Sequence, residues 1–151
     1  MVYKMKNKKL FLKASDVESC DIISSLMQDS IFHVSALSFH DDRKCLRLMI
    51  NRFCWELVKD DPENEHQKQR YFRVHSGLYI HNIENIIIND NFKDIKGEKY
   101  VSLLSMHASN EEINMLFSGH KTACIKVKDI CVYLKDLHDK YPTPSLPAHV
   151  L

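Results

Sequence analysis

Glycine is scarce in this sequence, with three residues among 151, and each of them stands alone. Gly77, Gly97 and Gly119 lie too far apart to form a glycine-rich loop that cradles a phosphate, and no G-x-S-x-G motif is present. Long apolar runs are also missing. No stretch approaches the roughly 20 residues of a membrane span, and Lys13 interrupts the short run Leu10–Leu12 that a secretion signal would need to extend. We therefore expect no P-loop enzyme, no α/β-hydrolase nucleophile, no membrane span and no secretion.

A net charge of one sign is missing as well, since 21 basic and 20 acidic residues leave a formal charge of +1. No global field attracts nucleic acid or a membrane. The one local asymmetry is a run of lysines near the N-terminus: Lys4, Lys6, Lys8, Lys9 and Lys13. Such a run can serve as an arm for anionic lipid or nucleic acid. Because it has no aromatic interleaving, we expect a solvated segment and no nucleic-acid partner.

The five cysteines are odd in number and widely spaced, without a C-x-x-C pair. This pattern suits free thiols in a reducing compartment better than a disulfide framework, so we predict a cytoplasmic protein. The length fits one domain with its own core. We divide the chain into a basic segment over 1–14, a single globular domain over 15–141 and a proline-rich tail over 142–151.

The clearest periodic signals are an early helix and a long hairpin. The stretch Ser15–Glu18 matches a capping box, and apolar residues at helical spacing predict a helix over 15–29. Between Ile31 and Trp55, two runs of alternating apolar and polar residues flank the polar stretch His40–Lys44, which is typical of a hairpin turn. The apolar positions change from even to odd near Arg52, and this change predicts a β-bulge there.

Further strand-like runs follow, at 71–75, 77–80, 86–88, 100–108, 111–118 and 122–127, with a bend expected at Gly77. Apolar residues at helical spacing then predict a closing helix over 128–140. We therefore expect an α+β fold, in which a seven-stranded antiparallel barrel or split sheet carries an N-terminal helix and a C-terminal capping helix. This is the element order of pleckstrin-homology-like domains, and it implies no function by itself.

Two stretches carry a family resemblance: Met27–Ser30 and Asn51–Glu56. They resemble a family of small cytosolic alphaproteobacterial proteins known only as a domain of unknown function. In that family a helix ending in Gln-Asp precedes a hairpin that ends Asn-Arg-Phe-x-Trp-Glu. The strand Tyr100–Leu104 and the segment 127–140 also have counterparts, so the resemblance covers about Leu10–Pro142. The family implies no activity, no cofactor and no catalytic residues.

Nine histidines raise the possibility of a metal site or a small hydrolase. A deep pocket that held two or more of His33, His75, His81 and His107 with a carboxylate would favour such an enzyme. The His40-Asp41-Asp42 cluster has metal-ligand residue types, but a solvated turn accounts for it. A nucleophilic Cys54 would need a neighbouring histidine, and a buried strand cysteine is the better interpretation. We predict no catalytic residues, no metal ligands and no cofactor.

The candidate interaction surface is the end of the hairpin: Arg52, Trp55 and Glu56. Arg52 and Glu56 are four residues apart on a strand and so share one face, while Phe53 and Trp55 share the other. Either the aromatics fill the core and Arg52 makes internal hydrogen bonds, or Arg52 anchors an anion and Trp55 contacts a peptide. The sequence favours a non-catalytic domain that binds a protein or peptide, or self-associates, through this region or a sheet edge. A hydrolase or metal-dependent enzyme is the alternative, and lipid or nucleic-acid binding through the basic segment is a third. Whether it binds a small molecule is left open.

Overall fold

The computed structural model describes residues 8–58, 71–93, 100–144 and 146–147. Two α-helices lie in this part of the chain, α1 over Val17–Met27 and α2 over Asp90–Lys93. The strands are, in chain order, β1 Phe11–Ala14, β2 Ser30–His33, β3 Leu37–His40, β4 Cys45–Phe53, β5 Tyr71–Ile80, β6 Ile83–Ile88, β7 Tyr100–Ala108, β8 Glu112–Phe117, β9 Lys121–Val127, β10 Val132–Asp136 and β11 Tyr141–Thr143. Residues 59–70 and 94–99, between the predicted strands, lie outside the described residues. Neither helix reaches the length and apolarity that crossing a bilayer requires.

The strands form one antiparallel sheet, which runs in the order β1, β10, β5, β4, β2, β7, β8, β9 and β6. Two short strands lie off this path, since β11 pairs with β5 and β3 pairs with β4. Among the described residues the sheet does not close, because β1 and β6 stand at its two ends. The predicted seven-stranded barrel with a capping helix is therefore wrong. The described part of the chain contains eleven strands and is mostly sheet.

The predicted closing helix over 128–140 is the main error in element type. The segment instead forms β10, which pairs with β5 from Val132↔Ile80 to Asp136↔Ser76. Val132, Leu134 and Asp136 all point inward with a period of two, whereas the intervening residues do not. Four apolar residues at helical spacing obscured this alternation. The segment forms a strand because it pairs on both of its edges, with β1 on one side and β5 on the other.

Helix α1 confirms the predicted N-terminal helix and packs against the inner face of the sheet. Its N-cap is Asp16, whose carboxylate accepts from the Ser19 N–H at 2.8 Å, while the Ser19 hydroxyl lies near the backbone of the cap. The capping box is thus one residue later than Ser15–Glu18. Cys20, Ile23 and Met27 form the buried stripe of the helix, as the helical spacing predicted.

The hairpin between Ile31 and Trp55 is present, with a short 3₁₀ turn over Val34–Ala36 that divides its first strand into β2 and β3. The predicted bulge near Arg52 is wrong. β4 pairs with β5 in unbroken register from Leu46↔Ile80 to Phe53↔Arg73. Arg52 simply occupies the inward position that follows Leu46, Leu48 and Ile50. Because Arg52 is polar although it is buried, the apolar pattern wrongly suggested that the inward positions change from even to odd numbers there.

Candidate functional site

Arg52 lies at the centre of a buried polar cluster on the inner face of the sheet, and its side chain is 0% exposed. Its guanidinium donates to both Glu56 oxygens, at 2.8 and 2.9 Å, in the bidentate geometry that arginine and carboxylate favour. It also donates to Asp136, at distances of 3.1 to 3.3 Å. With two carboxylates already on its guanidinium, Arg52 links β4, β10 and the turn that carries Glu56.

Asp136 is the second buried charge of the cluster, and the sequence did not indicate it. Its carboxylate accepts from the Ser76 hydroxyl at 2.7 Å and from the Leu10 N–H at 2.9 Å. The Lys140 ammonium lies 3.6 Å away and also contacts the carbonyl of Lys8. Each partner comes from a different part of the chain, so the carboxylate joins the start of β1 to β5 and β10.

The charges of this cluster are held fixed by its geometry. Burial by itself would raise the pKa of Asp136, but the Arg52 guanidinium and the hydrogen bonds from Leu10 and Ser76 lower it below its usual value. Burial would likewise lower the pKa of Arg52, but Glu56 and Asp136 raise it. The pair therefore stays ionised at neutral pH, and its carboxylates occupy the sites where a free anion would bind Arg52.

The other residues of the predicted interaction surface lie close by. The Trp55 indole donates to the Gln28 carbonyl at 2.7 Å, so the two family-like stretches of the sequence touch each other. The Phe53 ring is fully buried, packs 4.6 Å from the Trp55 ring, and has the Arg73 guanidinium 5.6 Å above it. Trp55 and Glu56 remain partly exposed. A contact surface made by Trp55 and Glu56 stays a prediction, whereas Arg52 is oriented inward.

The structure separates the histidines that a metal or hydrolase site would need. His75 lies beside His138, with ring centroids 5.9 Å apart, and His81 packs on Tyr133. His33 packs on Tyr100, on another strand pair. Within the described ranges, no three His, Cys, Asp or Glu side chains are grouped to hold a metal ion. Of the histidines that a catalytic pocket was to contain, the two cavities described for this chain hold only His107.

The cysteines lack the environment of an activated nucleophile. Burial raises the pKa of the Cys54 thiol to about 12 and that of Cys20 to about 11. Cys124 lies in one cross-strand row with Asn114 and His107. Two strand spacings separate Cys124 from His107, roughly 10 Å, which is too far for the histidine to take its proton. Burial also raises the pKa of Cys124.

These environments predict the order in which the thiols react. In native protein at pH 8, we expect iodoacetamide to modify the half-exposed Cys124 and Cys131 first. Cys20 and Cys54 should react at least about a hundredfold more slowly, because they are buried and almost wholly protonated. Peptide mapping by mass spectrometry measures the order, and 6 M guanidinium should make all five react alike. Early modification of Cys54 would contradict the buried environment described above.

An apolar groove of about 490 Å³ opens on the inner face of the sheet between β3 and β6. One wall comes from β3 and β4, through residues that include Phe39 and Leu48, and the other from β6, through Ile86 and Ile88. Phe92 of α2 and side chains of β8 and β9 line it as well. Phe39 is 45% exposed, a high value for an aromatic residue on the core face. The sequence marked β3 as a strand but could not show what lay opposite it.

The rim of this groove is acidic, and both of its long walls end in open strand edges. The charged side chains among its described lining residues are Asp41 and Glu84, both carboxylates, and Asn85 lies beside them. In the part of the chain that the structure describes, β3 pairs only with β4 and β6 only with β9. The Ile83 N–H at the start of β6 donates to the Lys44 carbonyl at 3.0 Å, and beyond it the ladders of the described residues leave backbone N–H and C=O groups of β3 and β6 available along the groove.

A family model described as a protein of unknown function, DUF2948, matches residues 10–149. The match spans nearly the whole chain and confirms the resemblance to a domain of unknown function. No curated protein and no solved structure matches the sequence.

Proposed function

Since the chain belongs to DUF2948, a family of proteins of unknown function, we propose its function from geometry: it binds an extended, basic and apolar peptide segment in the groove between β3 and β6. The observation that carries this proposal is an apolar groove flanked by two open strand edges. Its volume of about 490 Å³ falls within the roughly 300–1,000 Å³ of sites that bury a ligand. The domain acts as a non-catalytic binding module.

The walls of the groove define the chemistry of the peptide. An added strand would pair its backbone with β3 or β6 and direct alternate side chains toward Phe39, Ile86 and their neighbours. Asp41 and Glu84 at the rim favour Lys or Arg on that strand, because like charges there would be repelled. The occupant is therefore a partner segment in which apolar and basic residues alternate.

The compartment and source are part of the same proposal. All five cysteines are free thiols, which supports a reducing cytoplasm. The alphaproteobacterial origin and cytosolic location implied by the family resemblance agree with this. The peptide partner would accordingly belong to a cytoplasmic protein.

A fluorescein-labelled seven-residue peptide of alternating lysine and valine tests the proposal by fluorescence anisotropy. We expect saturable binding, and about tenfold weaker binding by Phe39→Ala, because its exposed ring lines the groove. Glu84→Lys should also weaken binding, since it reverses a rim charge. Phe11→Ala is the matched control. Phe11 is 62% exposed on the opposite face, so its loss should leave peptide binding unchanged.

A second probe tests strand addition itself. The same peptide with N-methylated valines keeps its side chains but loses backbone donors, so it should bind much more weakly. Equal binding of both peptides would refute strand addition. If the protein bound lauric acid but not the peptide, the occupant of the groove would be a small apolar ligand. If the protein formed a concentration-dependent dimer and did not bind the peptide, the occupant would be a second copy of the chain.

A further inference from the structure

The outward face of β1, β10, β5 and β4 combines cations and aromatic rings, although the sequence scatters them widely. Cross-strand partners share a face of a sheet, so the pairing registers place them. One row across the four strands is Lys13, Tyr133, Tyr79 and Arg47. The adjacent row is Phe11, Lys135, Gly77 and Met49. From this arrangement we propose that the face binds single-stranded nucleic acid.

Because Gly77 has no side chain, the Tyr79 side chain can lie against the sheet at that position. A Cβ atom at Gly77 would lie 2.5 Å from the Tyr79 Oη and 2.7 Å from both Cζ and Cε2. These three atoms belong to the hydroxyl end of the side chain, so the tip of Tyr79 occupies the space that a side chain at residue 77 would fill. The side chain therefore lies along the sheet at Gly77, and the ring remains half-exposed. A ring in this orientation can stack with a nucleobase.

The other rings lie next to Tyr79 and have cations beside them. Tyr133 is the direct partner of Tyr79 on β10, and the Phe11 ring is 6.0 Å from the Tyr133 ring. The Lys13 ammonium lies 5.7 Å from the centroid of Tyr133, and that of Lys135 lies 6.0 Å from Phe11. Positive charges therefore lie beside the rings, so that a single strand could place its phosphates against the cations and its bases against the rings.

The charge of this face differs from that of the chain as a whole. In the described chain, none of the outward positions of β1, β10, β5 and β4 carries Asp or Glu. Lys13, Arg47 and Lys135 are exposed there. The nearly neutral net charge of the whole chain conceals this local excess.

Single-stranded nucleic acid fits this face better than a duplex or a lipid surface does. Stacking rings contribute only where bases are unpaired, as on sheets that present aromatics to RNA. A membrane would favour apolar side chains that protrude beyond the cations, whereas Tyr79 and Tyr133 are half-buried among them. The sequence predicted no nucleic-acid partner because aromatics do not interleave with the N-terminal lysines. β10 and β5 supply those rings in the folded chain, while Lys4 and Lys6 lie outside the described residues.

Fluorescein-labelled decauridylate, titrated with the intact protein and followed by anisotropy, tests the proposal. We expect binding at 50 mM salt, about tenfold or more weaker in Tyr79→Ala and retained in Tyr79→Phe, because the ring and not the hydroxyl stacks. Three phosphate contacts predict that log K falls with log salt with a slope near −2, at about 0.7 per contact. Lys13→Gln with Lys135→Gln should flatten this slope by more than half.

Two further variants separate this face from the groove. Phe39→Ala should leave decauridylate binding intact, and Phe11→Ala should weaken it, which is the reverse of their effects on the lysine–valine peptide. Gly77→Ala keeps every ring but displaces Tyr79, so it should behave as Tyr79→Ala does. Circular dichroism confirms that each variant is folded.

Four results would overturn the proposal. The first is no anisotropy change at 50 mM salt. The second is equal binding by Tyr79→Ala. The third is equal competition by a DNA duplex of the same length, which would reduce the face to a general polyanion surface. The fourth is preferential binding to phosphatidylserine vesicles that decauridylate does not displace.

Discussion

Replacing Asp136 with asparagine is expected to lower the free energy of unfolding by about 3–5 kcal/mol at pH 7, the usual cost of breaking a buried ion pair from one side. The asparagine would keep the shape of the side chain but remove the charge that faces Arg52. Four groups would then face a neutral amide: the Arg52 guanidinium, the Lys140 ammonium, the Ser76 hydroxyl and the Leu10 N–H. Urea denaturation followed by circular dichroism measures the change.

Asp139→Asn is the matched control for this experiment. Asp139 is 93% exposed and lies 3.9 Å from Lys9, and exposed pairs of this kind contribute little. We expect Asp139→Asn to change stability by less than about 0.5 kcal/mol. Similar losses in Asp136→Asn and Asp139→Asn would show that the buried cluster does not stabilise the fold.

The pH dependence of the same difference follows from the direction of the Asp136 pKa. That pKa is lowered in the folded state, so the folded protein binds fewer protons at this site than the unfolded chain. The contribution of Asp136 is therefore fully present above the unfolded value near 3.9 and is lost as pH falls through the folded pKa. The stability difference between wild type and Asp136→Asn should persist from pH 7 to about pH 5 and shrink below pH 4.

Replacing Phe53 with alanine is expected to cost about 3–5 kcal/mol, the range for a large aromatic lost from a packed site. Phe53 is fully buried although it lies on the outward face, because Trp55, Tyr71 and Arg73 cover its ring. Removing the ring would leave a cavity under the turn that carries Trp55 and would free Arg73 from its cation–π contact. Denaturant unfolding again measures the loss.

Phe11→Ala provides the comparison for Phe53→Ala. Both side chains lie on the outward face, but Phe11 is 62% exposed, so its removal should cost less than about 1 kcal/mol. A loss below 1 kcal/mol in Phe53→Ala would mean that its neighbours close over the vacated space. The same Phe11→Ala variant reports on nucleic-acid binding, so its stability must be measured in any case.

The hairpin and the strands β7, β8 and β9 could be predicted from the sequence because their patterns are local. Alternating apolar residues over 100–108, 111–118 and 122–127 gave strands that differ from the observed ones by one residue at most. The same reasoning failed at Arg52 and over 128–140. In both places it relied on apolar residues alone, whereas the inward positions include the polar side chains Arg52 and Asp136.

The candidate sites depended on pairings that are distant in sequence. Arg52 was singled out from the sequence, but Asp136 is 84 residues away and is brought to it by the β4–β5–β10 ladder. The groove needs β3 opposite β6, and the cationic face needs Lys13, Tyr133, Tyr79 and Arg47 in one row. No periodicity within a segment specifies which strands become neighbours.

The sequence by itself determined the early helix, the hairpin and several antiparallel strands, thiols that stay unpaired, and membership of a family whose conspicuous stretch ends in Trp55 and Glu56. The spacing of apolar residues and the residue types of turns act over only a few residues, so both can be recognised in the sequence. Only the tertiary structure decided that Arg52 is buried against Asp136, that the sheet stays open between β3 and β6, and that scattered lysines and tyrosines form one face. Those outcomes depend on strand order and register, which are set by the burial of the whole core and not by any one segment.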